Sequence, residues 1–496
     1  EIYNDCSHLV FDKFSSCYGK FSAGNQCNTP VNINQSCPAY LGGSQDNARV
    51  LHSMVASVKV YDLNGDGLKD ILLGDGFCNN IQALYNSGTN IDAKITTIVS
   101  SFPPQYPINI EHFPAVFIEN IDEDTLKDLL ASPITNENDG YAVDLVNSLW
   151  MYKNIGTNKQ PNFSFTGKNF LQNEMIDLGE SASPAIFDYY LDGDLDLFVG
   201  NKGFFTAGTT AGSIYLYKNI GTKDSAQFSL EDEDYLSLSG LNFSDIRIGF
   251  APVDDNNSTD LYFMATNTDE VGLLYFIPNA NDSGFAPNFN IQNLKTINID
   301  AYYSYPNDKV SLYFRRFSKS DYIHIFRYQS ELKLLFGTNA GNLQLYSNNF
   351  SNGLPNFTFE KDNFLNTTSN DYTRYAVKAV TKIRGTDSLV VFTTNSLGEI
   401  NIYTLPSLYS TTFTATNFIL LNPDTNTVQP TSLGSNAMIG IANLRNNDTI
   451  PDLIIGTKGG GLLYLKNEFL KTMLPPTTIS GPTTSIAFAM AERRRG

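Results

Sequence analysis

Cysteine is scarce in this chain of 496 residues. Cys6, Cys17, Cys27, Cys37 and Cys78 are the whole set, and none follows among residues 79–496. No CxxC pair occurs, so the zinc and thioredoxin-type patterns are excluded. The clustering predicts a disulfide-stapled N-terminal segment in an oxidising compartment, with one odd thiol and no pairing given by the sequence. Histidine is equally thin. His8, His52, His112 and His324 stand far apart, so no pair at acid–base or metal-ligand spacing exists. GxSxG, HExxH and P-loop patterns are missing too. An enzyme is therefore not expected. Positive charge is in deficit, with 33 Lys and Arg against 51 Asp and Glu and a net charge of -18. Such a surface repels phosphate backbones and anionic membranes and suits divalent cations. No run of eighteen apolar residues is present, so no transmembrane segment is expected. No signal peptide is visible, and the polar opening at Glu1 reads as a processed, mature start. A sustained 3.6-residue apolar period is also lacking, so helices should be few.

What the chain does have is a repeat. A unit of four short strands recurs, separated by Gly, Asn, Asp and Thr clusters. Its second strand reads KDILLGD (69–75), KDLLASP (127–133), LDLFVGN (195–201), TDLYFMA (259–265), LKLLFGT (332–338), SLVVFTT (388–394) and PDLIIGT (451–457). The third strand recurs as LYNSGT, LWMYKNIGT, IYLYKNIGT and weaker copies. The fourth recurs as PNFSFTGKNF (161–170), AQFSLEDEDY (226–235), PNFNIQNLKT (287–296) and PNFTFEKDNF (355–364). Asp70 in the first copy and Asp452 in the last lie 382 residues apart over six intervals, about 64 per repeat. Four strands at that period, seven times over, predict an all-β, seven-bladed β-propeller with four-stranded blades. Separate β domains of that size would each be marginal alone.

The expected layout is a Cys-containing N-terminal segment over 1–54, the propeller over 55–467 and a linker or tail over 468–496. The last copy has no obvious fourth strand before TMLPPTTISGPTT. SHLVFDKFSS (7–16) resembles the fourth-strand copies, so residues Leu9–Asp12 are expected to complete the last blade and close the ring.

Acidic loops sit between the first and second strands. The first carries Asp62, Asn64, Asp66 and Asp70, with Gly67 at the bend and the carbonyl of Leu68 as a further oxygen. Calcium takes six to eight hard oxygens, which alternate acidic residues on a tight loop can turn inward. An EF-hand is excluded, because its twelfth position is Leu73, inside a β-type run. The second loop carries Asn120, Asp122, Asp124 and Asp128, with the Leu126 carbonyl, and has Thr125 where glycine is preferred. The third carries Asp188, Asp192, Asp194 and Asp196, with Tyr190 in place of an acid. These residues are the expected ligands of one to three structural Ca2+ ions. The fourth loop has lost its first ligand at Pro252, and the seventh carries Arg445, so ordinary Asx turns are expected there.

The Asp62–Asp70 loop followed by ILLG, and its recurrence, resembles the FG-GAP or VCBS repeat family, which includes the propeller of integrin α subunits. The likeness covers about residues 55–467 and is specific in the first three copies. It implies a seven-bladed propeller with calcium loops in some blades. LYKNIGT and DLDLFVGN are similar to VCBS-type propellers that some Gram-negative bacteria export by the type IX pathway. The resemblance implies a secreted, cell-surface module for adhesion or interaction that binds protein or glycan. Alternatives are a self-assembling subunit of an extracellular filament or surface layer, and a polysaccharide lyase. Exposed aromatics such as those of AYYSYPND (301–308) could stack sugars. Sequons such as those at Asn162, Asn242, Asn349 and Asn356 make a glycoprotein possible but occur at about the chance rate.

Overall fold

The computed structural model describes residues 57–134, 143–299, 322–365 and 375–467, interrupted at 77, 112, 207–208, 223–224, 257, 282–283, 339–340, 352, 383–387, 396, 423–426, 430–432, 435–436 and 445–450, together with strand segments 21–22, 32–33 and 486–490. The chain divides into two compact units, Glu1–Glu174 and Met175–Gly496. The described residues are almost wholly strand and turn, as the lack of a helical period predicts.

Seven four-stranded antiparallel units are present among the described residues, one per repeat; four are separate sheets, the fifth carries an added parallel strand, and the last two are joined edge to edge in one sheet. The first unit holds two. Blade I is β1 (Ser57–Tyr61), β2 (Asp70–Gly74), β3 (Ile81–Asn86) and β4 (Ile95–Phe102). Blade II is β5 (Pro114–Glu119), β6 (Asp128–Pro133), β7 (Trp150–Asn154) and β8 (Phe163–Gly167). Alternation turns Leu72, Ile81 and Phe102 of blade I toward Val116, Leu129, Trp150 and Tyr152 of blade II, in one core. Each fully buried side chain of this size contributes about 1.5–3 kcal/mol.

The second unit holds five. Blade III is β9 (Ser183–Phe187), β10 (Asp196–Gly200), β11 (Ile214–Asn219) and β12 (Phe228–Asp232). Blade IV is β13 (Ser244–Ala251), β14 (Asp260–Thr266), β15 (Gly272–Ile277) and β16 (Lys295–Thr296). Blade V is β17 (Tyr322–Tyr328), β18 (Glu331–Gly337), β19 (Leu343–Asn348) and β20 (Asn356–Lys361). Blade VI is β21 (Tyr375–Lys382), β22 (Leu389–Asn395), β23 (Ile400–Leu405) and β24 (Thr414–Asn422). Blade VII is β25 (Met438–Ala442), β26 (Asp452–Gly456), β27 (Leu462–Asn467) and β28 (Ile486–Met490).

These five blades close on one another. Phe198 and Leu216 of blade III pack on Ile246 and Phe263 of blade IV. Tyr262 and Phe276 of blade IV meet Ile323, Phe336 and Tyr346 of blade V. Leu335 and Leu345 of blade V meet Val391 and Tyr403 of blade VI. Phe392 and Ile402 of blade VI meet Ile439 and Leu453 of blade VII. Ala442 and Ile454 of blade VII then meet Leu197 and Val199 of blade III. The second unit is thus a ring of five. The repeat count of seven stands, and the closure within the second unit runs around its five blades.

The glycine that ends the second-strand signature has a packing reason. A Cβ on Gly200 would stand 2.4 Å from the Ile246 carbonyl oxygen of blade IV. On Gly456 it would stand 2.0 Å from the Ala182 oxygen beside blade III, and on Gly74, in the first unit, 1.9 Å from the Pro114 oxygen. Neighbouring backbones approach too closely at this point for any side chain.

The outer place on the last blade is filled from the C-terminal side. β28 pairs antiparallel with β27, Leu465 opposite Met490, and parallel with β24, Phe418 opposite Ile486. The tail after 467 is therefore not all linker, and the edge reserved for residues 7–16 is taken. That N-terminal segment lies outside the described residues, as do Cys6, Cys17, Cys27, Cys37 and the 301–308 stretch. Cys78 is buried.

Candidate cation loops and rim

The first loop is built on its own hydrogen bonds. Asp62 accepts the N–H groups of Gly65 and Gly67 at 2.7 and 2.9 Å. Asn64 Oδ1 accepts from Asp66 N at 3.0 Å, and Asp66 Oδ1 accepts from Leu68 N at 2.8 Å. Gly65 and Gly67 both have positive φ. The same two backbone positions are Glu123 and Thr125 in the second loop, and Leu191 and Gly193 in the third, all with positive φ. The fold of the loop is therefore common to the three, and the second loop holds it with two strained residues at about 1–2 kcal/mol each.

The loops are clamped from the next hairpin of their own blade. Lys69 N–H donates to Asn90 Oδ1, and Asn90 Nδ2 donates to the Gly67 oxygen. Asn158 does the same for Lys127 and Thr125 in blade II. The motif N-x-G-T-N after the third strand thus has a structural task. Its first Asn accepts two N–H groups across the hairpin, those of Gly88 and Lys94 at Asn86 and those of Gly156 and Asn162 at Asn154.

The last acid of each loop has backbone partners on two sides. Asp70, Asp128, Asp196 and Asp260 are all buried. One oxygen of each accepts an N–H within its loop, from Leu63, Ile121, Tyr189 and Val253 respectively. The other accepts the N–H of the Asn that ends the third strand, Asn86, Asn154 and Asn219, or in blade IV lies just past it, Asn279. Each carboxylate therefore locks three chain segments together, and Asp260 does so in a loop where no ion was expected. Burial pushes the Asp260 carboxyl up to about 6, against the pull of its backbone hydrogen bonds. Because the folded value lies above the ordinary unfolded value of about 3.9, this group lowers stability as pH rises from about 4 to about 6. Asp260→Asn is expected to remove that slope. Urea unfolding at pH 4.5 and 7 checks it, and an unchanged slope would refute the assignment.

Among the described residues, no group of three or more His, Cys, Asp or Glu side chains converges as a metal cage. Asp62, Asn64, Asp66 and Asp70 line one loop, but their oxygens turn toward backbone N–H groups and, at Asp66 Oδ2, the Asn64 side-chain amide. Each carboxylate oxygen keeps a second lone pair. The charge crowding is real: after burial and against its backbone bonds, Asp66 and Asp62 help raise the Asp70 carboxyl. In the third loop, Asp188 Oδ1 is buried with no hydrogen-bond partner among the described residues. Burial, and the nearby Asp192 charge, hold that carboxyl above its ordinary range. Asp194 lies in the same loop, its N–H bound to Asp192 Oδ1 at 3.0 Å.

In the second loop, Asp122 and Asp124 are joined by a residue that sequence reading passed over. Lys153, on β7, places its ammonium against Asp122 and 3.4 Å from Asp124. The signal was there in the KNIGT motif, where the lysine precedes the hairpin Asn. Ile91 and Ile155 stand on the hairpin turns beside the first two loops, 97% and 62% exposed.

No family model and no curated protein matches the sequence. Among solved structures, the chain is similar to AofleA from Arthrobotrys oligospora at 9% identity, covering 72% of this chain and 83% of that one with a TM-score of 0.33. It is similar to the BP39L lectin from Burkholderia pseudomallei at 10% identity, covering 83% and 95% with a TM-score of 0.29. It is also similar to extracellular domains 1–2 of Drosophila Semaphorin 1a at 12% identity, covering 82% and 86% with a TM-score of 0.27. Nothing about function follows from likeness at this level. Among the described residues, no helix is long and apolar enough to cross a membrane.

Proposed function

We propose that the chain is an extracellular binding module of the FG-GAP or VCBS type, and that the acidic-loop rim of its first unit is a protein-binding face braced by calcium. The observation that carries this reading is the pair Ile91 and Ile155. Both are branched apolar side chains held in solvent on turns that are themselves pinned to acidic loops. An exposed apolar side chain on a turn pinned to an acidic loop suits a protein partner with a basic rim. Sugar recognition would favour exposed aromatics at that place. A cation at Asp62 and Asp66 would relieve the repulsion that reaches Asp70.

Two measurements test the proposal. Full-length protein is screened on protein and glycan arrays with calcium and with chelator. Ile155→Glu is expected to weaken the captured protein at least tenfold without changing the melting temperature. Equal binding by the variant, or capture of glycans alone, would sink the protein-face reading. Chelation is expected to lower the melting temperature, since an ion at a hundred times its Kd adds about 2.7 kcal/mol to stability. Melting that ignores both calcium and chelator would count against the brace.

A further inference from the structure

We infer that Lys153 is the resident cation of the second acidic loop, standing in for a divalent ion between Asp122 and Asp124. The inference rests on the reading that this loop type takes a cation, and it decides which loops need one from outside.

Three observations carry it. First, the three loops share one backbone, so the space framed by their third and fifth positions is equivalent. In blade II that space is bordered by Asp122 and Asp124, and the Lys153 ammonium touches both. Secondly, the same lysine exists in blade III but has another use. Lys218 precedes Asn219 as Lys153 precedes Asn154, and its ammonium lies 4.0 Å from the centre of the Tyr190 ring. Tyr190 occupies the third loop position, where Asp122 stands in blade II. A cation over an aromatic face is satisfied by the ring quadrupole, and Asp188 Oδ1 is left without a hydrogen-bond partner among the described residues. Thirdly, blade I has no lysine there at all. Tyr85 precedes Asn86, and none of the described ion pairs involves Asp62, Asp66 or Asp70.

One strand position therefore sorts the loops. Lysine on two carboxylates makes the second loop self-sufficient. Lysine on tyrosine, or tyrosine itself, leaves the third and first loops with uncompensated negative charge.

The test counts bound ions on the full chain, with calcium titrated calorimetrically and terbium as a luminescent probe. Lys153→Gln is expected to bind one ion more than the wild type, and its melting temperature in chelator should fall and recover with calcium. The Asp122→Asn/Lys153→Gln double variant should lose the extra ion again. Lys153→Arg, which keeps the charge, should bind as the wild type does and guards against a folding defect at this position. An ion count for Lys153→Gln equal to the wild type's would overturn the inference, whatever its melting temperature. A wild type that binds no ion would instead defeat the brace at the first loop, while the gain in Lys153→Gln still decides the role of the lysine.

Discussion

Gly456→Ala should cost the second unit about 3 kcal/mol of stability, at the upper end of what overpacking does. Its Cβ would lie 2.0 Å from the Ala182 oxygen and 2.8 Å from Pro184 Cδ, against backbone that belongs to another blade. Neither neighbour is the flexible end of a side chain. To make room, blades VII and III must part, and that loosens the core of Leu197, Val199, Ala442 and Ile454. Gly459 is the control, since a Cβ there meets nothing within 4 Å. Urea unfolding of the two variants separates the effects. Equal small losses would mean that the junction is not tightly packed at Gly456.

The second large effect concerns Asp196. Asp196→Ala should lose about 2–6 kcal/mol, because the buried N–H of Asn219 and the half-buried N–H of Tyr189 lose their acceptor at about 1–3 kcal/mol each. The comparison variant is Asp194→Asn, in the same loop but without a buried partner of this kind. Both are measured in chelator and in calcium. If Asp196 acts as the lock between loop and third strand, its loss persists in chelator. A loss seen only in calcium would make it a metal ligand first.

The repeat was legible because its packing leaves a regular trace. Every blade needs an apolar second strand, and where two backbones nearly touch only glycine fits, so LLG, FVG and IIG recur at multiples of one spacing. The Asp that opens that strand was equally visible, but not the two backbone N–H groups that it accepts. Sequence pattern cannot tell a carboxylate that accepts two backbone N–H groups from one that waits for an ion, since both require an acid at the same place. Asp260 shows the difference, being locked in the same way inside a loop with no glycine and one lost ligand. Lys153 was missed because its partners, Asp122 and Asp124, lie some thirty residues earlier and meet it only across two strands. Closure was hidden for a related reason. β28 is a short segment, IAFAM, without the PNF opening of other fourth strands, and its identity is set by the free edges of β27 and β24. Nor does anything in a regular period say where a row of equal blades will bend back on itself, because each junction reads alike from the inside.

That equality has a kinetic side. Four of the five junctions in the second unit join blades that follow each other along the chain. The fifth joins Ala182 to Gly456, separated by most of the unit's length. Loop closure costs entropy that grows with the logarithm of the intervening chain, so this junction is the most expensive to form from an open chain and the cheapest once the other four exist. Assembly is then expected to be a growing arc whose last junction forms late, because of the chain length it spans and not because of any difference in how the blades fit.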